Sequence, residues 1–240
     1  MDQISTKAIP LHTIKYSDSA LIARLFTREC GLVGVIVRGG NSKRSNKRRL
    51  LAPFSLLHAN LSAKSGRDLM SLTDLALELP LPHIHSQLAK SSLVMFLSEV
   101  LLKTLEEHYV NHALFDFVWD AIQALDQVDK TSNFHLWFLI KLSEFYGFAP
   151  HPSERTSAVY FDLVSGEFCD RFREKETANV ATSALLATIA GMKFDRAIDL
   201  KISNSERKAL LDALISYYGF QISGLKEINS HHILETVLND

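Results

Sequence analysis

The spacing of apolar residues changes at Pro80-Leu81-Pro82, and this change limits the possible folds more than any other feature. On the N-terminal side apolar residues alternate with a period of two, for example from Ser19 to Thr27 and from Phe54 to Ala63, which is typical of β-strands. On the C-terminal side they recur every three or four residues, which is typical of helices with one apolar face. Because two prolines end a strand and do not continue into a helix, we predict a domain boundary between residues 80 and 81.

The first domain, residues 1–80, is predicted to be a small closed barrel. Its five strands include Leu32 to Val37 and Leu69 to Leu79, and Gly39-Gly40-Asn41-Ser42 is a turn signal that ends one of them. No helical period separates the first four strands. The simplest architecture for five such strands is the OB-fold, a barrel that binds oligonucleotides in many proteins.

The second domain, residues 81–240, is predicted to be a helical bundle with one small β-hairpin, so the fold class is α+β. Alternation about Ser165-Gly166 predicts the hairpin between Ala158 and Cys169, within an insertion at residues 151–175. Gly147 is a predicted helix stop and Ser205 a predicted N-cap. The segments in which apolar residues have helical spacing are Leu88 to Leu105, Leu114 to Leu125, Phe134 to Phe145, Ser183 to Ala190 and Ser205 to Tyr218.

Basic residues are concentrated in the predicted barrel, although the net charge of the chain is only −1. Residues 1–80 carry 12 Lys and Arg against 6 Asp and Glu, whereas residues 81–240 carry 14 against 21. No acidic residue lies between Cys30 and Arg67. Such a surface suits a polyanion, because cations that meet phosphates release condensed counterions and bind without sequence choice. The predicted phosphate-binding residues are Arg38, Lys43, Arg44, Lys47, Arg48, Arg49, Lys64 and Arg67.

The segment from Lys43 to Arg49 has the highest density of charge, with five cations in seven residues between two predicted strands. An alternative interpretation is a solvated loop whose charges only keep the protein in solution. The acid-free window and the predicted barrel favour nucleic acid. Aromatic residues that could stack on bases are few: Phe26 and Phe54 are predicted in the barrel core, and Tyr16 on the surface.

The sequence contains no catalytic motif that we can identify, so we expect no enzymatic activity. The glycine turn that runs into Lys43 lacks the spacing of a phosphate-binding loop, and there is no G-x-S-x-G nucleophile motif. The pairs His83 with His85 and His231 with His232 have no third ligand near them in the sequence. We therefore expect surface histidines rather than metal ligands.

The two cysteines, Cys30 and Cys169, are too few for a disulfide framework or a four-cysteine zinc site. The chain has no apolar run of ~18–20 residues that could span a bilayer and does not start with a cationic segment followed by an apolar one. We therefore expect a soluble protein of a reducing cytoplasm that does not bind membranes.

Four stretches of the sequence together resemble the RecO family of bacterial DNA repair proteins. They occur in the family's order and span almost the whole chain. They are Tyr16-Ser-Asp-Ser19 with Leu25 to Gly31, Val37 to Ser45 with Pro53-Phe54, Phe134 to Leu142 running into Tyr146-Gly147-Phe148-Ala149-Pro150, and Tyr217-Tyr218 with Ile222-Ser223-Gly224 and Ser230.

The resemblance implies an N-terminal OB-fold and a helical domain that holds a small zinc-ribbon-like insertion. It implies a recombination mediator that binds single- and double-stranded DNA, anneals complementary strands and acts in the cytoplasm at the nucleoid. It also implies that the protein works with RecR, and often with RecF, to help RecA displace the single-strand-binding protein SSB. Binding of the acidic, hydrophobic C-terminal tail of SSB is part of the same implication.

The sequence departs from the family pattern in two places. Many relatives have four cysteines in the insertion, whereas this chain has only Cys169, with His151 upstream. We therefore expect no zinc, so that the family's metal site is lost and no cofactor is bound. Some relatives have an arginine just before the central helix, near the docking site of the SSB tail, where this chain has Ser132 and Asn133. Lys141 is a candidate substitute.

Without its zinc, the hairpin is expected to be held by the packing of apolar side chains. These are Val159, Phe161, Leu163 and Phe168.

Two other functions remain open from the sequence. An RNA-binding OB module in translation or RNA maturation would use the same cations, and competition between single-stranded DNA and structured RNA would distinguish it. A hydrolase that uses the histidines would be detected by metal analysis and a nuclease assay.

Overall fold

The computed structural model describes residues 3–42, 45–63, 69–151 and 159–222, together with Leu225, Ile228 and Ser230. The chain divides into two compact units, of which the first ends at Gln127 and the second begins at Val128. The first unit holds the predicted barrel and the two helices that follow it in the sequence. Among the described helices, none combines the length and the hydropathy needed to cross a bilayer.

The first unit contains a closed five-stranded barrel, which confirms the predicted α+β fold that begins with an OB-fold. Its strands are β1 (Gln3–Lys15), β2 (Ala20–Thr27), β3 (Gly31–Arg38), β4 (Leu56–Ser62) and β5 (Met70–Leu79). The order around the barrel is β1-β2-β3-β5-β4, and β4 closes the barrel on β1. Strands β3 and β5 are parallel, and the other neighbours are antiparallel.

The long strand β1 serves both sides of the barrel. Its first half pairs with β4 and its second half with β2. The register with β2 shifts between Pro10 and His12, because a proline has no N–H to donate to the ladder and is tolerated at such an irregularity. Through its pairing with both β2 and β4, strand β1 closes the barrel.

Alternate residues of the strands fill the barrel interior. Because side chains point to opposite faces in succession, every second residue is buried. On β2 and β3 these are Leu21, Ala23, Leu25, Val33, Val35 and Val37, which pack with Leu57, Ala59 and Leu61 of β4.

A single helical turn, α1 (Lys47–Leu50), lies between β3 and β4 and was not predicted. Leu51, which follows it, is fully buried in the barrel cluster, and Leu50 packs against that cluster. The turn therefore forms because its end covers the barrel interior, which leaves Arg48 and Arg49 exposed and Lys47 half-buried.

Two helices complete the first unit, α2 (Leu88–Thr104) and α3 (His112–Gln127). Phe26 is buried as predicted, but its ring packs 5.2 Å from Phe115 of α3 and does not belong to the interior cluster of the barrel. Phe54 is also buried, with a positive φ of 63° just before β4. Neither aromatic ring can therefore stack on a base.

The segment that precedes α2 is fixed by a fully buried carboxylate, that of Asp126. Oδ1 of Asp126 accepts hydrogen bonds from the backbone N–H groups of His83 and Ile84 at 2.9 and 2.8 Å. The backbone carbonyl of Asp126 accepts a bond from Nζ of the buried Lys90 at 2.7 Å. Buried polar groups are stable only when they are satisfied in this way.

The second unit is a helical bundle with a small β-hairpin, as predicted. Its elements are α4 (Phe134–Phe145), β6 (Tyr160–Phe161), β7 (Phe168–Cys169), α5 (Val180–Ala190), α6 (Phe194–Asp199) and α7 (Asn204–Gln221). Helix α6 was not predicted. Phe194 of α6 packs edge-on against Trp137 of α4, with 4.8 Å between the ring centroids. Gly147, which has a positive φ of 78°, follows the end of α4, where a helix stop was predicted.

Two local predictions were wrong in the second unit. The N-cap of α7 is Ser203 rather than Ser205, because Ser203 and Glu206 form a reciprocal capping box. In the hairpin, Phe161 and Leu163 are buried as expected, but Val159 is 39% exposed and does not hold the hairpin.

Candidate nucleic-acid interface

The end of β3 and helix α1 bring basic residues together at one end of the barrel. Nζ of Lys47 donates a hydrogen bond to the backbone carbonyl of Arg38 at 3.5 Å. Arg38, Arg48 and Arg49 are exposed and Lys47 is half-buried. We call these four cations the basic end of the barrel (Arg38, Lys47, Arg48 and Arg49).

One asparagine connects this basic end to the turn between β1 and β2. The side-chain amide of Asn41 donates to the backbone carbonyls of Ser17 and Asp18 at 3.4 and 3.3 Å. Its Oδ1 accepts a hydrogen bond from Nη1 of Arg48 at 3.4 Å. Asn41 thus links two loops that are distant in sequence, although its local sequence predicts only a turn.

The cations of the basic end differ from other cations of the barrel in their partners. Lys15 pairs with Asp18 at 3.3 Å and Arg24 with Glu107 at 2.9 Å. Within the part of the chain that the structure describes, no carboxylate lies within 4.0 Å of a cationic group of the basic end. Their partners among the described residues are neutral, the carbonyl of Arg38 for Lys47 and the amide of Asn41 for Arg48.

The best-paired cation of the barrel is Arg28, whose Nε and Nη2 atoms bond both carboxylate oxygens of Asp116 at 2.9 and 3.0 Å. This fork raises the pKa of Arg28 above its ordinary value and lowers the pKa of Asp116. The pair joins the turn that follows β2 to α3, so the charge of Arg28 is already neutralised within the first unit. Arg28 is therefore not a candidate for binding phosphate.

Four of the eight predicted phosphate-binding residues cannot be placed. Lys43, Arg44, Lys64 and Arg67 lie outside the described residues. Their assignment stays a prediction from the sequence, as does the function of the four residues that the structure brings together.

No group of three or more His, Cys, Asp and Glu side chains that could hold a metal occurs among the described residues. Nδ1 of His83 lies 3.4 Å from Oδ2 of Asp126, and burial lowers the pKa of His85. Burial raises the pKa of the Cys30 thiol, which is the opposite of what a reactive thiolate requires. His231 and His232 lie outside the described residues.

The described residues of the insertion do not fit a zinc site. Cys169 contributes a single thiol, and its Sγ donates to the backbone carbonyl of Arg171 at 3.3 Å. The polar centre of the hairpin is instead the buried Asp162, which accepts bonds from the backbone N–H groups of Val164 and Ser165 at 2.9 and 3.2 Å. The guanidinium of Arg173 donates to its other oxygen.

The residues predicted near the SSB tail have partners inside the second unit. The amide of Asn133 is buried, donates to the carbonyls of Ala197 and Leu200 at 3.1 and 2.8 Å, and accepts a bond from Arg207 at 3.2 Å. Lys141 lies 2.7 Å from Glu144. Asn133 therefore ties three helices together and does not present a ligand-binding group.

Comparisons with known proteins agree with this fold over nearly the full length of the chain. The family model described as recombination protein O N terminal matches residues 1–79, and the model described as recombination protein O C terminal matches residues 85–227.

Individual proteins that are similar to this chain are DNA repair proteins named RecO. The chain is 33% identical over 239 residues to the DNA repair protein RecO of Flavobacterium johnsoniae, with 99% of this chain and 100% of the relative covered. It is 31% identical to that of Flavobacterium psychrophilum over 99% of this chain and 100% of the relative. It is 30% identical to that of Porphyromonas gingivalis over 98% of this chain and 99% of the relative. From the barrel, the helical bundle and these matches together, the chain belongs to the RecO family of DNA repair proteins.

Proposed function

We propose that this protein is a recombination mediator that binds single- and double-stranded DNA and anneals complementary strands. With RecR, and with RecF where it takes part, it would help load RecA onto DNA coated by SSB in the bacterial cytoplasm. The supporting observation is the basic end of the barrel, whose four cations have no described carboxylate partner. The role requires no covalent chemistry, and we propose that the protein is not an enzyme.

The electrostatics of the barrel suit annealing. Two DNA strands repel each other through their phosphates, and cations placed between them offset that repulsion without reading the bases. Repair gaps occur in any sequence, so binding without sequence choice is appropriate. Residues 81–240 carry an excess of acidic side chains. We propose that this region is repelled by DNA and contacts protein partners.

For the SSB tail we propose a cavity beside α7 in the second unit. This cavity of about 270 Å³ is lined by Lys175, Ile215, Ser216, Gly219 and Phe220. An acidic tail with apolar residues is complementary to such a lining, since the lysine would meet a carboxylate and the ring of Phe220 an apolar side chain.

A second cavity, of about 250 Å³, is less suited to this tail although it lies beside α6 and close in sequence to the expected docking region. It is lined by three carboxylates, those of Asp129, Asp195 and Asp199. Its one lysine, Lys130, already pairs with Asp199 at 2.8 Å. An acidic peptide would be repelled there. A labelled peptide with the sequence character of the SSB tail should lose binding in Lys175→Glu and keep it in Lys130→Glu.

The DNA proposal is tested by neutralising the basic end of the barrel. The variant changes four cations to glutamine, namely Arg38, Lys47, Arg48 and Arg49. Binding to a fluorescent single strand and to a duplex is measured between 50 and 300 mM salt. Affinity falls as salt rises, and the slope of log binding constant against log salt concentration counts the phosphate contacts. Each lost contact lowers the magnitude of this slope by about 0.7 for single strands and about 0.9 for duplexes. We therefore expect weaker binding and a flatter dependence for both.

A control variant with the same change of net charge separates specific contacts from general attraction. It replaces four exposed cations of the second unit by glutamine, namely Arg171, Lys193, Arg196 and Lys201. The control should bind DNA with an unchanged salt slope. If the two variants bind alike, the basic end is only a solvated surface.

Annealing and nucleic-acid preference are tested on the unmodified protein. Complementary fluorescent strands coated with SSB should anneal faster when the protein is added, and the glutamine variant of the basic end should lose this acceleration. A competition between single-stranded DNA and structured RNA identifies the alternative RNA-binding module. Preference for RNA together with absent annealing would contradict the proposal.

A further inference from the structure

Three isoleucines form a row on the outer face of the barrel next to the basic end. Ile14 of β1 pairs with Ile22 of β2, which in turn pairs with Ile36 of β3. Directly paired residues of neighbouring strands point to the same face, so the three side chains are adjacent. Ile14 is 49% exposed, and the other two are half-buried. The row is therefore an apolar strip that is open to solvent.

The next row on the same face carries Tyr16 and Arg38. The N–H of Tyr16 donates to the carbonyl of Ala20 at 3.0 Å, which continues the ladder past the end of β1, and Ala20 pairs with Arg38. Tyr16 follows Ile14 by two residues, and Arg38 follows Ile36 by two, so both lie on the face of the isoleucine row. Neighbouring strands are about 4.8 Å apart, which puts the backbones of Tyr16 and Arg38 about 10 Å from each other.

Tyr16 is one of the most exposed large apolar side chains of the described residues, at 60% of its surface. The turn that follows it is held by Asn41, which also binds Arg48. The aromatic ring is therefore on a turn that Asn41 holds, between an apolar strip and cations that have no carboxylate partner among the described residues. The one carboxylate of this turn, that of Asp18, pairs with Lys15 at 3.3 Å.

We propose that Tyr16 stacks on a base of a bound single strand whose phosphates contact Arg38 and Arg48, and that the isoleucine row supports the neighbouring base. This inference rests on the proposed DNA binding and specifies its ligand as single-stranded. Bases of a single strand expose their faces, whereas a duplex hides them within its stack. The cations alone bind both forms, and Tyr16 adds affinity only for the single strand.

The test compares Tyr16→Ala with a matched control, Tyr109→Ala. Tyr109 is 61% exposed, as Tyr16 nearly is. Its backbone lies against Gly31, the first residue of β3, whereas Arg38 is the last. The two ends of this strand are about 23 Å apart. Three fluorescent ligands of equal length are titrated: a thymidine oligonucleotide, an oligomer of abasic sites and a duplex. The abasic oligomer has the phosphates without the bases.

We expect Tyr16→Ala to weaken binding of the thymidine strand by roughly 5- to 150-fold, the range typical for loss of one base-stacking side chain. Binding of the abasic oligomer and of the duplex should change less than about twofold. Tyr16→Phe should bind like the unmodified protein, since stacking needs the ring and not the hydroxyl. Tyr109→Ala should bind all three ligands normally.

Two outcomes would overturn the inference. An equal loss for thymidine and abasic strands would show a backbone contact, and no loss for any ligand would show that the face serves another purpose, such as contact with a protein. In both cases the glutamine variant of the basic end would still test DNA binding independently. As a second measurement, Tyr16→Trp should show added fluorescence quenching with the thymidine strand but not with the abasic one.

Discussion

Arg48 donates a hydrogen bond from Nη1 to Oδ1 of Asn41 across 3.4 Å, and this bond joins helix α1 to the turn between β1 and β2. The same amide holds two carbonyls of that turn. The position of the Arg48 guanidinium thus depends in part on a neutral side chain. Asn41 thus positions a cation that we propose as a DNA contact.

Replacing Asn41 should weaken DNA binding through the cations that it positions. Asn41→Ala removes the acceptor for Arg48 and the donor to the turn, and we expect a loss of affinity for single-stranded DNA of about threefold to tenfold, equivalent to one net hydrogen bond. Fluorescence anisotropy at 100 mM salt measures the effect. Asn41→Asp keeps the acceptor but adds a negative charge beside the ligand, so it should bind more weakly still at low salt. Normal binding by Asn41→Asp would contradict the assignment.

Removing the paired cation Arg28 should lower the thermal stability of the protein and leave DNA binding unchanged. Arg28→Gln breaks the fork with Asp116, and we expect a melting temperature lower by about 2 °C. The salt slope of DNA binding should be that of the unmodified protein. A flatter slope would mean that Arg28 leaves Asp116 to bind phosphate.

The same pair gives a pH dependence whose sign follows from the lowered pKa of Asp116. Its folded-state pKa lies below the unfolded value of 3.8, so the stabilisation is complete above that value and is lost as the pH falls through the folded-state pKa. Asp116→Asn should therefore lose less stability than the unmodified protein on acidification below pH 4. Thermal melts at several pH values measure this difference.

The sequence predicted the strands well and the partners of the charges poorly. The alternation in β2 and the turn after β3 are local, and each is readable from a few neighbouring residues. Arg24 and Arg28 form their ion pairs with Glu107 and Asp116, which lie 83 and 88 residues away in the chain. No local pattern contains that information. The excess of basic residues that the sequence indicates for the barrel therefore includes Arg24 and Arg28, whose charges are neutralised by ion pairs in the folded protein.

Two features that were not predicted, helix α1 and the N-cap at Ser203, have different causes. Helix α1 has four residues and no apolar period, and it forms because Leu50 and Leu51 pack on the barrel interior, which is a tertiary effect. The N-cap at Ser203 was readable, since Ser203 and Glu206 have the spacing of a capping box.

The hairpin insertion should be stable without a metal. Dialysis against EDTA is expected to leave the melting temperature unchanged, and metal analysis should find no stoichiometric zinc. Asp162→Ala leaves two backbone donors and Arg173 without their acceptor and should destabilise the second unit by about 2 kcal/mol. Asp170→Ala, at an exposed aspartate of the same insertion, is the matched control and should be neutral. A fall in melting temperature after EDTA would show that a metal contributes to the fold.

A buried histidine in α4 should make the stability of the second unit depend on pH. His135 is 1% exposed, and burial, aided by the charge of Arg207, lowers its pKa from 6.5 to about 3. The unfolded chain binds a proton in this range and the folded one does not. The contribution of the neutral ring is therefore complete above pH 6.5 and decreases as the pH falls toward 3.

Between pH 7.5 and pH 5.0 this linkage amounts to about 2 kcal/mol of unfolding free energy. Urea denaturation at the two pH values measures it, within a range where most carboxylates keep their charge. His135→Gln removes the titration and should show a smaller difference between the two values, although its stability at pH 7.5 will be lower. His12→Gln, at an exposed histidine of the barrel, is the control and should retain the full difference. If His135→Gln retains it as well, another group carries the pH dependence and the ring of His135 is protonated in the folded state.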